Sequence, residues 1–149
     1  MIDKEQLLKR CKSHVEQRLQ TIETILLSNR KALESETKST AGDKHETGRA
    51  HLQIEIEKAG TQLAEVLKMK NTLAKISLKT PSKKAHLGSL VVTNRRSYFL
   101  AVSAGNLLLE NEQIYAVSLV SPIGKLLLGK EKGDRIVFNG TTLEIIYVQ

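Results

Sequence analysis

The chain has 149 residues, of which 40% are hydrophobic, 3% aromatic and 26% charged, with a formal net charge of +7. That suits one typical domain or two small ones, with a core that must be aliphatic. The single cysteine, Cys11, excludes an intramolecular disulfide and a cysteine-based zinc framework, and no apolar run nears the roughly 20 residues that span a bilayer.

Residues 1–80 hold 15 Lys+Arg against 11 Asp+Glu, and residues 81–149 hold 8 against 5. The positive excess is therefore spread out. Such a surface suits weak, nonspecific contact with nucleic acid, although an ordinary basic protein carries the same balance. The polar start, Ile2-Asp3-Lys4-Glu5-Gln6, offers no apolar signal region. A reduced, soluble, cytoplasmic protein without membrane association is the expectation.

The first half contains no proline and is rich in Leu, Lys, Glu and Gln, which favours helix. One apolar stripe runs Leu8, Cys11, Val15, Leu19, Ile22, Leu26, Leu33. A second runs Leu52, Ile56, Ala59, Leu63, Val66, Met69, Leu73, Ile76. Steps of three and four residues are those of a coiled-coil seam. Between them, Ser35 to Asp43 is small, polar and contains Gly42, which marks a turn. Facing positions in an antiparallel pair keep a constant index sum. Leu33 with Leu52, Leu26 with Ala59, Ile22 with Leu63 and Leu19 with Val66 each give 85, and Val15 with Met69, Cys11 with Leu73 and Leu8 with Ile76 give 84. Residues 1–80 are thus expected to form an antiparallel hairpin with its tip near 37–46. Arms of about 33 residues make it roughly 50 Å long at 1.5 Å per residue. The same heptads would also serve an intermolecular scaffold, but the central break and the constant sum favour a monomeric hairpin.

Thr80-Pro81-Ser82-Lys83-Lys84 ends the second helix as a linker. Residues 81–149 then change pattern. Leu90–Val92, Tyr98–Val102, Ile114–Val117, Ile136–Phe138 and Leu143–Val148 are short, β-branched or aromatic runs that predict strands. Ser121 to Gly129 predicts one short helix, with a serine cap, Pro122 in the first turn and a closing glycine. Asn139-Gly140 predicts a hairpin turn. The fold class is therefore α+β in two domains.

At the tip, Asp43 and Glu46 stand three apart at a helix start, on one face and within reach of one cation. The same spacing is that of a helix cap and its capping-box partner, and the two roles are compatible. His14, His45, His51 and His86 show no ligand spacing, and no nucleophile–base triad or phosphate loop is present.

Two segments resemble the Gre family of bacterial transcript-cleavage factors. Ser121-Pro122-Ile123-Gly124-Lys125-Leu126-Leu127-Leu128-Gly129-Lys130-Glu131-Lys132-Gly133-Asp134 is similar to that family's C-terminal signature. Gly42-Asp43-Lys44-His45-Glu46 is similar to its tip motif, and the hairpin-first layout agrees. The resemblance implies an FKBP-like second domain at 81–149. It implies docking on RNA polymerase through the Ser121, Pro122, Ile123, Gly129 and Lys130 segment. It also implies insertion of the hairpin into the secondary channel. There Asp43 and Glu46 would share an Mg²⁺ with the polymerase and assist cleavage at the 3′ end of the nascent RNA. The factor would hold no cofactor of its own and would be no enzyme, only a stimulator of the polymerase's intrinsic nuclease. One departure stands out. Thr47-Gly48-Arg49-Ala50 replaces the family's Asn-Ala-Glu-Tyr, which puts Arg49 beside the pair and points to the alternative of a non-cleaving regulator of the same channel. A prolyl isomerase on the FKBP-like domain would need an aromatic pocket, and strand positions use most of Tyr98, Phe99, Tyr115, Phe138 and Tyr147.

Overall fold

A computed structural model describes the backbone of residues 2–38 and 42–149, and the side chains of 2–36 and 47–149. The order of elements is α1 (Lys4–Lys38), α2 (Gly42–Ala74), β1 (Leu90–Thr93), β2 (Ser97–Ala101), β3 (Gly105–Leu109), β4 (Glu112–Ser118), α3 (Pro122–Leu127), β5 (Arg135–Phe138) and β6 (Thr141–Val148). The fold is α+β, a helical hairpin followed by a six-stranded sheet domain. It divides into two compact units, residues 15–69 and residues 1–14 with 70–149. The division cuts across both helices and not at Pro81, because the first turns of α1 belong with the sheet.

In the unit of residues 15–69, the seam follows the expected stripes. Val15, Leu19, Ile22 and Leu26 are buried on α1, as are Ala59 and Val66 on α2. Threonines inside the helices satisfy themselves: Thr21 and Thr24 donate to the carbonyls of Gln17 and Gln20, and Thr61 to that of Glu57. Arg18 Nη1 donates to Met69 Sδ at 3.4 Å across the pair. Asn29 stands in the step between Leu26 and Leu33. Its Nδ2 is buried without a hydrogen-bond partner among the described residues.

Two expectations at the base of the helices are corrected. Leu7 is fully buried while Leu8 is only half-buried, so the apolar side turns by one residue where α1 meets the sheet. The second helix ends at Ala74 and does not reach Thr80. Lys75 N and Ile76 N turn back to the carbonyls of Thr72 and Leu73, tightening the last turn. Ile76 then seats against Gly88, where an added Cβ would lie 2.9 Å from Ile76 Cγ2.

The sheet runs β3-β4-β2-β1-β6-β5, antiparallel throughout except for the parallel pair β2–β4. Directly paired residues share a face. Val91, Tyr98 and Tyr115 are one such row, and with Leu100, Leu143 and Ile145 they line the face covered by Ile123 and Leu127 of α3. Leu90, Phe99 and Ala116 form a row on the other face. In the same unit Ile2, just before α1, and Leu7 and Cys11 on its first turns are also buried. Arg10 Nη1 donates to Leu108 O at 2.8 Å, Lys4 Nζ to Gln149 O at 3.0 Å, and Gln149 Nε2 to Ile2 O at 2.9 Å.

Strand β3 was not expected from sequence. It pairs with β4 through a tight turn in which Glu110 and Asn111 take φ of 52° and 64°, the positive pair that a two-residue hairpin requires. The Asn139-Gly140 turn, at 51° and 76°, is of the same kind and was expected. Among the described residues, no helix is long and apolar enough to cross a membrane.

Candidate functional site

The sequence names two places, the hairpin tip and the run from Ser121 to Asp134. At the tip, α2 begins at Gly42, so Asp43 and Glu46 fall in its first turn. Their side chains lie outside the described residues. The nearest described side chains belong to the segment that departs from the family pattern. Thr47, Arg49 and Ala50 are exposed. Gly48 faces Glu36, whose carboxylate oxygens lie 3.3 and 3.4 Å from where a Cβ would stand. A third carboxylate is therefore laid across the helix pair two residues behind Glu46. Sequence reasoning missed it, because 36 and 48 sum to 84, one short of the 85 register at this end of the hairpin, and neither residue belongs to the apolar stripes.

In the second place the sequence run is explained almost residue by residue by folding. Ser121 caps α3: its Oγ accepts from Gly124 N at 3.1 Å and donates to Ser118 O at 2.6 Å. Pro122 occupies the first turn, where its missing N–H costs nothing. Ile123 is buried in the sheet core at 6% exposure. Gly124 lies so close to Ser118 O that no side chain fits. Gly129 takes φ +81° to end the helix, and its N–H donates to Ala85 O at 2.8 Å. Lys130 O accepts from Ala85 N at 2.7 Å. Asp134 Oδ2 accepts from Glu131 N at 2.9 Å, closing the turn into β5.

The five docking candidates are thus adjacent, but they differ in access. Ser121, Gly129 and the Lys130 backbone hold the segment in shape, and Ile123 is core. Exposed in this segment are Pro122, Lys125, Leu128 and Gly129, with Val120 before them at 76% exposure. Val120 and Leu128 went unnoticed in sequence because an aliphatic residue beside a short helix reads as core.

The chain is similar to the transcription factor Gfh1. That solved structure shares 18% identity, covering 95% of this chain and 92% of that one, at a TM-score of 0.35. A likeness at this level decides nothing about the site. No family model and no curated protein matches the sequence.

Elsewhere, Arg96 lies over the Tyr115 ring, 4.9 Å from its centroid. Tyr115 in turn tilts against Tyr98 at 6.4 Å. Burial pushes the Tyr98 hydroxyl up, partly offset by the Arg96 charge. Burial pushes the Cys11 thiol up to about 12, which marks a core residue and not a nucleophile. Phe99 is fully buried and Tyr98 nearly so, so neither is free to line a proline pocket. No group of three or more His, Cys, Asp or Glu able to hold a metal occurs among the described residues.

Proposed function

We propose that the chain is an RNA-polymerase-binding elongation factor of the Gre type. Its hairpin enters the secondary channel and its tip assists cleavage of backtracked transcripts. The observation that carries this reading is the hairpin itself. Helices of 35 and 33 residues meet where the Gly-Asp-x-x-Glu motif stands, and at 1.5 Å per residue each arm is about 50 Å long. The run from Ser121 to Asp134 supports the docking half, with Pro122, Lys125, Leu128 and Gly129 exposed along it.

The tip chemistry follows from the donor set. Asp43 and Glu46, one turn apart, offer a divalent cation part of the six or more oxygens it takes, and the remainder would come from polymerase and RNA. A shared Mg²⁺ held by Asp43 and Glu46 would lower the pKa of a bound water and steady charge on the leaving oxygen. The chain's own task is to present the two carboxylates. A second reading, a non-cleaving occupant of the same channel, is favoured by exposed Arg49, a positive charge that would compete for those carboxylates wherever it came close to them. The deciding experiment incubates a stalled, backtracked elongation complex with wild type and with Asp43→Asn/Glu46→Gln. Transcript shortening that needs the pair is expected. Equal shortening by both proteins removes the pair from the mechanism, and shortening by neither, with binding retained, selects the non-cleaving reading.

A further inference from the structure

A groove of about 560 Å³ runs between the first turns of α1 and residues 76–79. We propose that it binds a short acidic peptide segment of a protein partner, one that carries an aliphatic side chain between its carboxylates. Leu8, Ile76 and Leu78 make an apolar lining, each of them half-buried. Lys9, Lys12 and Lys79 are exposed along the rim, against one acid, Glu5. Glu5, Leu8, Lys9 and Lys12 share one face of α1 because their spacing follows the helical turn.

Three observations select the occupant. The rim holds three cations to one anion, so a basic or neutral segment is disfavoured and an acidic one drawn in. A smaller hollow of about 380 Å³, lined by Gln6, Arg10 and Ser13, shares Lys9 and extends the basic track along α1. The lining has no aromatic side chain, so nucleic-acid bases find no stacking platform, whereas a leucine-like side chain finds an aliphatic floor. The far wall is also set in advance. Ile76 rests on Gly88, which takes φ +93° and leaves no room for a Cβ. Gly88 N is fixed to Leu100 O at 2.7 Å. A wall already in place reduces the ordering cost of binding. This inference stands apart from the tip chemistry and from docking through the Ser121 segment.

The test uses the full chain and a fluorescein-labelled peptide, Asp-Glu-Leu-Leu-Glu-Asp, followed by anisotropy up to about 1 mM, the weak end of specific binding. The peptide is expected to bind and to weaken as salt rises. Lys9→Glu/Lys12→Glu should lower its affinity on the order of tenfold, as reversal of two surface pairs predicts. A peptide with both leucines replaced by serine should bind poorly, and an unlabelled single-stranded oligonucleotide of equal charge should not displace the original. Methyl NMR shifts on wild type should centre on Leu8, Ile76 and Leu78, which decides the matter even if the double variant misfolds. Each of the following overturns the inference: no binding, undiminished binding by a folded double variant, equal binding of the serine peptide, displacement by the oligonucleotide, or shifts centred elsewhere.

Discussion

Adding one methyl group at Gly124 tests how the short helix is seated on the sheet. A Cβ there would overlap Ser118 O and lie 2.9 Å from both Ser118 C and Ser121 Oγ. Ser118 O is backbone at the end of β4 and already accepts from Ser121 N at 3.1 Å and Ser121 Oγ at 2.6 Å. Relief of the overlap therefore separates α3 from that carbonyl. Two hydrogen bonds at about 1 kcal/mol each and overpacking strain of about 1–3 kcal/mol give a cost of about 3–5 kcal/mol. Urea unfolding followed by tyrosine emission reads this out, since Tyr98, Tyr115 and Tyr147 all lie in the sheet unit. Gly60→Ala is the control, read by helical circular dichroism because Gly60 lies in the unit of residues 15–69, which holds no tyrosine. Nothing lies within 4 Å of its added Cβ, and a helical Gly→Ala change stabilises by about 0.5–1 kcal/mol. The same chemical change should thus act with opposite signs at the two sites. A Gly124→Ala loss below about 1 kcal/mol would refute the seating argument.

Asn29→Leu should stabilise the unit of residues 15–69 by about 1–2 kcal/mol, because it removes a buried amide without a partner among the described residues; helical circular dichroism in urea measures it, and a lower midpoint contradicts the account. Cys11 should resist maleimide at pH 8 until denaturant is added, as burial lifts its thiol from 9.0 to about 12. Because the native value is the raised one, this group's contribution to stability is complete below about pH 9 and is lost as pH climbs toward 12. Fast labelling of the native protein would show that the first turns of α1 open readily. Asp43→Asn/Glu46→Gln should abolish transcript shortening while leaving polymerase pull-down unchanged; loss of both together would assign the pair to binding.

The helices were legible because their apolar positions repeat without a proline to interrupt them. The second stripe from Leu52 to Ile76 has no exposed member. Position 7 was misjudged because two leucines stand together, and only the sheet decides which one is buried. Strand β3 escaped because Leu107, Leu108 and Leu109 are not β-branched and the Glu110-Asn111 turn lacks the usual glycine. Ile76 looked helical by spacing, yet a positive-φ glycine twelve residues on sets its place, which no local pattern conveys. At the site, the cap, first-turn proline and closing glycine of the Ser121 run were legible, but the close approach at Gly124 was not. The run's serine, glycines and isoleucine are dictated by cap, close approach, positive φ and core, and exposure at Val120 and Leu128 depends on which side of α3 faces the sheet.

The division into units has a consequence for how the chain assembles. Residues 15–69 are an excursion of the chain between two segments of the other unit. Left unfolded, such an excursion would tax closure of the sheet by an entropy that grows with the logarithm of its length. Folded as a zipper of near neighbours, it delivers its own two ends side by side, with Arg18 already tied to Met69. Each further heptad added to both arms then costs the sheet nothing. Reach and stability are decoupled in this chain, so a coil of this kind is free to lengthen or shorten in matched steps.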